Sequence, residues 1–387
     1  MKCILPWKVA LFLGILLVSG CNQESDPEPQ FKSFEEELDY LADQYVRMGA
    51  AVGIIDRQQN QHEYYFGKIS RNRDIPPDEH SIFEIGSITK TFTATLLAQM
   101  ILDGKLDLED ELEALLPEQE VDVPQWNGTS INLRHLATHS SGLEKSPRDS
   151  NQPLPPGYDP YDPYAAYSTA YVYDYLSNWC NLQFEPGTRY SYSNTGMGLV
   201  GHVLGLMDST SYADVLEREI LKPLGLNETT LFITGELIPL LAPGHDEARD
   251  SVSNYNAQDI FQGAGFIKST LHDMLIFLKV QMGLLPSGLD DAIALTHEPH
   301  FEVGTVTYND REGVYQLAIG LAWHIDVLPE GDTYYSHGGR TNGYMAYMAF
   351  DPETSTGVVI LCNQSYDGAI TRFGEDLLKT VNKYDLI

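Results

Sequence analysis

The stretch Glu84 to Lys90, EIGSITK, sets Ser87 three residues before Lys90 at the head of a run of helix formers. A serine hydroxyl is a poor nucleophile at neutral pH until a base takes its proton, and an unprotonated lysine one helical turn away is placed to do that. No Gly or Pro interrupts Ile88 to Leu102, and Gly104 closes the run, so the pattern predicts a helix that starts at Ser87. At such a start the backbone N–H groups point outward and the dipole favours an anion, which suits an alkoxide or an acyl oxyanion. The plainer reading of the same letters is a capped helix with a surface lysine. The tetrad is the only Ser-x-x-Lys in the chain.

On the N-terminal side, Phe34 to Met48 has apolar residues at helical spacing with acids early, an amphipathic helix. GAAVGIIDRQ and QHEYYFGKI follow as two strand-like runs about a turn near Gln58 to Asn60. On the C-terminal side, FIKSTLHDMLIFLKVQMG reads as a helix capped by Ser269 or Thr270 and stopped by Gly283. YQLAIGLAWHI, DTYYSH, GYMAYMAFD and TGVVILCNQ then read as strands, and a last helix runs from about Ala369 to Asn382. The expectation is an α/β (α+β) fold: one antiparallel sheet assembled from both chain ends, flanked by helices, with a mostly helical lobe inserted from about residue 105 to 263.

Two further motifs carry chemistry. In YSYSNTGMG, Tyr192 and Asn194 form the only Tyr-x-Asn, just after the turn signal FEPGT, which predicts an exposed loop. A tyrosine acts as a general base only where nearby cations stabilise its phenolate, a service open to Lys90, and the Asn194 amide can orient Lys90 or donate to a substrate carbonyl. In YYSHGGRTNGY, His337 ends one strand-like run and the pair Gly338–Gly339 lets a backbone approach a ligand closely. His337 would bring a second positive or hydrogen-bonding group toward Tyr192.

Composition narrows the partners. Of 387 residues, 55 are acidic and 24 basic, a formal charge of -31, which argues against nucleic acid. No HExxH, CxxC pair or Walker loop occurs, so neither a metal nor another cofactor is implied, and a monomer is the default expectation. Residues 1–20 have the layout of a secretory signal, with Lys2 and Lys8 before an apolar run too short to span a bilayer. LVSGC resembles a bacterial lipobox, which would make Cys21 the lipid anchor, residues 21–33 a polar tether, and residues 34–387 the catalytic body. Asn22 next to it favours an extracytoplasmic place on an outer membrane, facing the periplasm of a two-membrane cell. Cys180 and Cys362 remain in the body, read as two separate buried thiols rather than a disulfide framework.

The order Ser87–Lys90, Tyr192–Asn194, His337–Gly339, together with LRHLATHSSGL and GVVILCNQSYDG, resembles the penicillin-recognising serine hydrolases of the class C β-lactamase type, a group that also holds DD-peptidases, D-aminopeptidases and esterases. The resemblance runs from about Phe34 to Val381. It implies the β-lactamase/transpeptidase-like fold, with Ser87 as acylated nucleophile, Lys90 and Tyr192 shuttling its proton, and Asn194 holding the substrate amide. It puts His337 in the place of the lysine of Lys-Thr-Gly and makes an oxyanion hole of the Ser87 and Arg340 backbone N–H groups. The hydroxyl and the asparagine with which β-lactamases of this class hold a carboxylate are replaced by Gly338 and Gly368, leaving Arg340 or Thr341 to compensate. A His-x-Gly third motif looks more like the DD-peptidases and D-aminopeptidases, which tilts the expected substrate to a peptidoglycan peptide ending in D-Ala. β-Lactam hydrolysis, ester hydrolysis and a slow penicillin-binding sensor are the alternatives.

Overall fold

The computed structural model describes residues 29–117, 121–307, 314–329, 331–366, 369–384 and 386. Cys21, the leader before it, most of the tether and Gly368 lie outside the described residues. The first helix, α1 (Phe34–Tyr45), is capped by the Ser33 side chain, which accepts the Glu36 N–H, and carries three acids in its first turn. Phe34, Leu38, Leu41 and Ala42, spaced at i, i+4, i+7 and i+8, form its buried stripe.

Strands β1 (Gly49–Ile55) and β2 (Gln61–Gly67) make the expected hairpin, with Gln59 at φ 66 in its turn. The remaining strands come from the other end of the chain: β3 (Phe301–Val306), β4 (Tyr315–Ile319), β5 (His324–Val327), β6 (Thr333–Arg340), β7 (Met345–Asp351) and β8 (Thr356–Cys362). They pair antiparallel in the order β2-β1-β8-β7-β6-β5-β4-β3, so β1 meets β8 across the whole sequence, Ala50 opposite Cys362 and Ile55 opposite Gly357. β1, β7 and β8 are buried along their full length because both faces are covered. Alternate residues sort to the two sides: Ala50, Val52 and Ile54 join Phe34, Phe373 and Leu377 of α1 and the last helix, α7 (Ala369–Lys383), while Ala51 and Ile55 join the larger core.

Two elements have no counterpart in the reading from sequence. The helix α6 (Asp290–His297) is only eight residues long, and β3 is half-exposed and broken by a register shift beside Gly304 at φ 90. Neither leaves a clean period. The single run YQLAIGLAWHI also divides into β4 and β5, because Gly320 to Trp323 turn the chain with Ala322 at φ 64.

At the centre of the larger core lies α2 (Thr89–Leu102), buried on every side from Thr89 to Ala98. Its threonines are tolerated there because their hydroxyls bond back into the helix, Thr91 to Ile88 O at 2.8 Å and Thr95 to Thr91 O at 2.9 Å. Thr270 caps α5 (Leu271–Gln281), as one of the two expected positions. In the lobe, α3 (Asn194–Met207) and α4 (Asp259–Gly265) touch backbone to backbone: a Cβ on Gly201 would lie 2.9 Å from Gly263 Cα.

Ser87 does not open the α-helix. It sits in a 3₁₀ turn, Gly86–Ile88, ahead of Thr89, and α2 has no side-chain cap. The reason is the neighbour: Gly86, at φ 51, would put a Cβ 2.6 Å from Arg340 N, and Gly339 would put one 1.9 Å from Ile85 O. The edge of β6 and the Ser87 turn are thus packed main chain against main chain. Gly339 makes this internal contact, whereas a Cβ on Gly338 would meet nothing nearer than Thr371 Oγ1 at 3.7 Å.

Gly339→Ala is therefore expected to lower stability by about 2 kcal/mol or more, while Gly338→Ala stays within about 0.5 kcal/mol of the parent, as read by urea unfolding midpoints.

Candidate active site

The short antiparallel pair of Phe83–Glu84 with Lys268–Ser269 fixes the segment leading into the Ser87 turn, and Ile267 N–H donates to Thr89 Oγ1 at 3.1 Å just behind it. Lys90, one turn into α2, points back to Ser87 with Nζ 3.0 Å from Oγ. The same nitrogen donates to Asn194 Oδ1 at 2.8 Å and to the Ala264 carbonyl at the end of α4. Lys90 has no exposed surface, and among the described residues no carboxylate bonds to it. Burial, helped by the nearby Lys145 cation, therefore holds its ammonium well below the usual lysine range.

That neutrality decides the hydrogen bonding. A neutral amine has two N–H groups and one lone pair. The Asn194 and Ala264 oxygens can only accept, so they take both N–H groups and leave the lone pair to the Ser87 hydroxyl. The Asn194 amide is fixed in this sense by its other end, where Nδ2 donates to Tyr164 Oη at 2.8 Å.

Tyr192 and Asn194 do not lie on an exposed loop. Ser193 between them is fully buried and caps α3: its Oγ accepts the Gly196 N–H at 3.0 Å and donates to Glu144 O at 2.8 Å. The Asn194 N–H is tied to Lys145 O at 3.0 Å. The half-buried Tyr192 ring stands 4.8 Å from Lys90 Nζ. Burial pushes its phenol well above the ordinary tyrosine value, a hydrogen bond with Ser87 pulling weakly the other way. Both shifts push the pair toward neutral amine and neutral phenol.

His337 is buried, and burial, as the chief cause, pushes its imidazole well below the usual range. Of the two roles the sequence leaves open, a positive or a hydrogen-bonding group, this shift favours the hydrogen-bonding one. Its Nδ1–H donates to Gly338 O at 2.7 Å, which leaves the lone pair on Nε2.

Reasoning from sequence passed over the groups that surround Tyr192. His139, within the LATHSSGL segment, packs its ring 4.3 Å from Tyr192 and accepts the Ser193 N–H at 3.2 Å. Tyr190 Oη bonds His324 Nε2 at 3.1 Å, and His324 stacks on His337 at 5.4 Å. The segment holding His139 was visible as a motif, but its role is a matter of ring packing that spacing does not encode. The Ala264 carbonyl, a backbone atom, leaves no letter at all.

Ser87, Asn194 and Arg340 open onto a cleft of about 380 Å³ whose rim also carries Lys145, Arg148, Asp246 and Glu247. Arg340 Nε donates to Ser365 Oγ at 2.9 Å. Gly338 faces Thr371 instead, on the far side of β6 from Ser87. No group of His, Cys, Asp and Glu among the described residues is arranged to hold a metal ion. Cys180 and Cys362 are free thiols, the first half-buried and the second buried.

Comparison with known proteins agrees with this layout. The family model described as Beta-lactamase matches residues 33–380. A β-lactamase of Pseudomonas fluorescens is 28% identical over 346 residues, 83% of this chain and 90% of that protein. The D-alanyl-D-alanine-carboxypeptidase/endopeptidase AmpH of Escherichia coli K12 is 27% identical over 361 residues, 89% of this chain and 87% of that protein. Among solved structures, a class C β-lactamase in complex with cefoxitin has a TM-score of 0.73 at 22% identity, covering 90% of this chain and 98% of that one. A β-lactamase/D-alanine carboxypeptidase of Pseudomonas syringae has a TM-score of 0.72 at 22% identity, covering 89% and 97%. The chain has the class C β-lactamase-like fold and belongs to the β-lactamase family of serine hydrolases.

Proposed function

We propose that the protein is a serine acyl hydrolase that cleaves peptides ending in D-Ala through an acyl-Ser87 intermediate. The observation that carries the reading is Lys90 Nζ, 3.0 Å from Ser87 Oγ and held there by the Asn194 Oδ1 and Ala264 carbonyl acceptors. Lys90 takes the Ser87 proton as Oγ attacks the scissile carbonyl carbon. The oxyanion forms between the Ser87 and Arg340 N–H groups, which the Gly86–Gly339 contact brings together. Tyr192, protonated at rest, gives its proton to the leaving nitrogen as the C–N bond breaks, and the proton on Lys90 restores the phenol. Water then attacks the ester by the same steps in reverse, releasing the acid and regenerating Ser87. Asn194 holds Lys90 through its carbonyl oxygen and Tyr164 through its amide nitrogen.

Three features support a D-Ala peptide. Lys145, Arg148 and Arg340 gather at the cleft of a chain whose formal charge is -31, a local attraction for a terminal carboxylate. His337, pushed by burial toward its neutral form, stands where β-lactamases of the class carry a lysine. The AmpH relative is named for cleavage after D-Ala. β-Lactam hydrolysis is the second reading, favoured by the relatives named β-lactamase. Cys21, lipidated, would hold the enzyme outside the cytoplasm on the residue 21–33 tether, next to peptidoglycan. No helix of the described residues is long and apolar enough to cross a membrane.

Purified protein offered a D-Ala-D-Ala peptide, nitrocefin and a p-nitrophenyl ester is expected to release D-Ala fastest. Ser87→Ala should abolish all three activities and any adduct on the Ser87 peptide in mass spectra; equal rates in wild type and Ser87→Ala would exclude the mechanism. The rate of Ser87 acylation should fall as pH is lowered through the Lys90 pKa, because only the neutral amine accepts the serine proton. Lys90→Met should remove that acid limb and slow acylation by about 10²- to 10⁴-fold, measured by intact-mass time courses.

A further inference from the structure

Strand β6 passes Ser87 in a defined direction. Its His337 end lies with the rings around Tyr192, since His337 stacks on His324 and His324 bonds Tyr190. From there to Arg340 is three residues, about 10 Å of extended chain, and Asn342 stands two residues further on. In the acylation proposed above, Tyr192 protonates the leaving group, so the leaving group occupies the Tyr192 end. The acyl portion of the substrate must then point the other way, toward Asn342.

That end is walled. The Asn342 amide nitrogen donates to the carbonyl of Tyr161, and its oxygen accepts from Tyr255 Oη at 2.8 Å. Tyr161 belongs to the Pro- and Tyr-rich stretch PLPPGYDPYDPYAAY, which is itself strapped down. Asp162 accepts both the Asn256 N–H at 2.9 Å and its Nδ2 at 2.8 Å, and Gln258 Nε2 donates to Ala165 O at 2.9 Å. Asn342 and Tyr255 line the cleft that holds Ser87.

We infer that Asn342, clamped between Tyr161 and Tyr255, closes the acyl end of the cleft and selects short acyl donors. Beyond the oxyanion position at Arg340, where β6 ends, only Thr341 precedes the clamp, and the chain turns at once, Thr341 N–H donating to Tyr344 O at 3.0 Å. The substrate class is therefore short D-Ala peptides and small amides or esters with a compact acyl part; long or branched acyl parts meet the wall. The Pro- and Tyr-rich stretch that holds Tyr161 is the far side of this wall. The inference rests on the acyl-Ser87 reading, because that reading fixes which end of the cleft takes the acyl group.

The test uses the full chain, p-nitrophenyl acetate and the p-nitrophenyl ester of a biphenyl carboxylic acid. Asn342→Gly removes both bonds of the clamp, and Tyr255→Phe removes one while keeping the ring. The ratio of kcat/KM for the bulky ester to that for acetate is expected to rise about tenfold in Asn342→Gly and by a smaller factor in Tyr255→Phe. Thermal unfolding confirms that each variant is folded. A ratio within about twofold of wild type in both folded variants, with the Ser87 adduct still forming, overturns the wall as the selector. Absence of a Ser87 adduct from either ester on wild-type protein overturns instead the acyl-enzyme reading, and the inference with it.

Discussion

The contact between two backbones, Ile85 to Ser87 on one side and Gly339–Arg340 on the other, is the constraint on which the site depends. Side chains can shift by rotamer, but main chain packed at 1.9 to 2.6 Å from where a Cβ would stand has nowhere to go. It couples the N-terminal turn that carries the nucleophile to a strand from near the C-terminus. The N–H groups of both are thereby set before any substrate arrives, the condition under which a fixed dipole stabilises developing charge without reorganisation. α2, buried on every side, gives Lys90 the same fixity one turn later.

Burial does the electrostatic tuning. Lys90, Tyr192, His139 and His337 are all pushed toward their neutral forms, each chiefly by desolvation. A resting site of neutral groups carries no buried charge, and the charge pair that forms when Lys90 takes the Ser87 proton meets N–H groups already in place. The charge returns at the cleft rim, where the cations Lys145, Arg148 and Arg340 stand beside the carboxylates Asp246 and Glu247.

Much of this was legible in the letters. The hairpin near Gln58 to Asn60, the helix after EIGSITK, the Thr270 cap and the closing strands announce themselves by period and punctuation, and the sheet built from both ends follows from them. α6 and β3 escaped because one is short and the other is bulged and half-wet. At the site, the spacing of Ser87 and Lys90 spoke for a shared face. It was silent on the charge state of Lys90, which burial and the Lys145 cation push toward the neutral amine. Gly338 and Gly339 look alike in sequence and differ wholly in space: one faces Thr371 with room to spare, the other touches Ile85.

The pairing of β1 with β8, Ala50 opposite Cys362, has a kinetic consequence. Neither β1 nor its hairpin can enter a finished sheet until some three hundred further residues have been made, so the order of synthesis and the order of assembly run against each other. Contacts this remote close slowly, since the chain must lose loop entropy before any pairing rewards it. During that interval the apolar strand GAAVGII has an open edge, the kind of surface through which chains stick to one another. The 55 acidic residues against 24 basic ones then act on the waiting chain as well as the finished one, as mutual repulsion between molecules that have not yet closed.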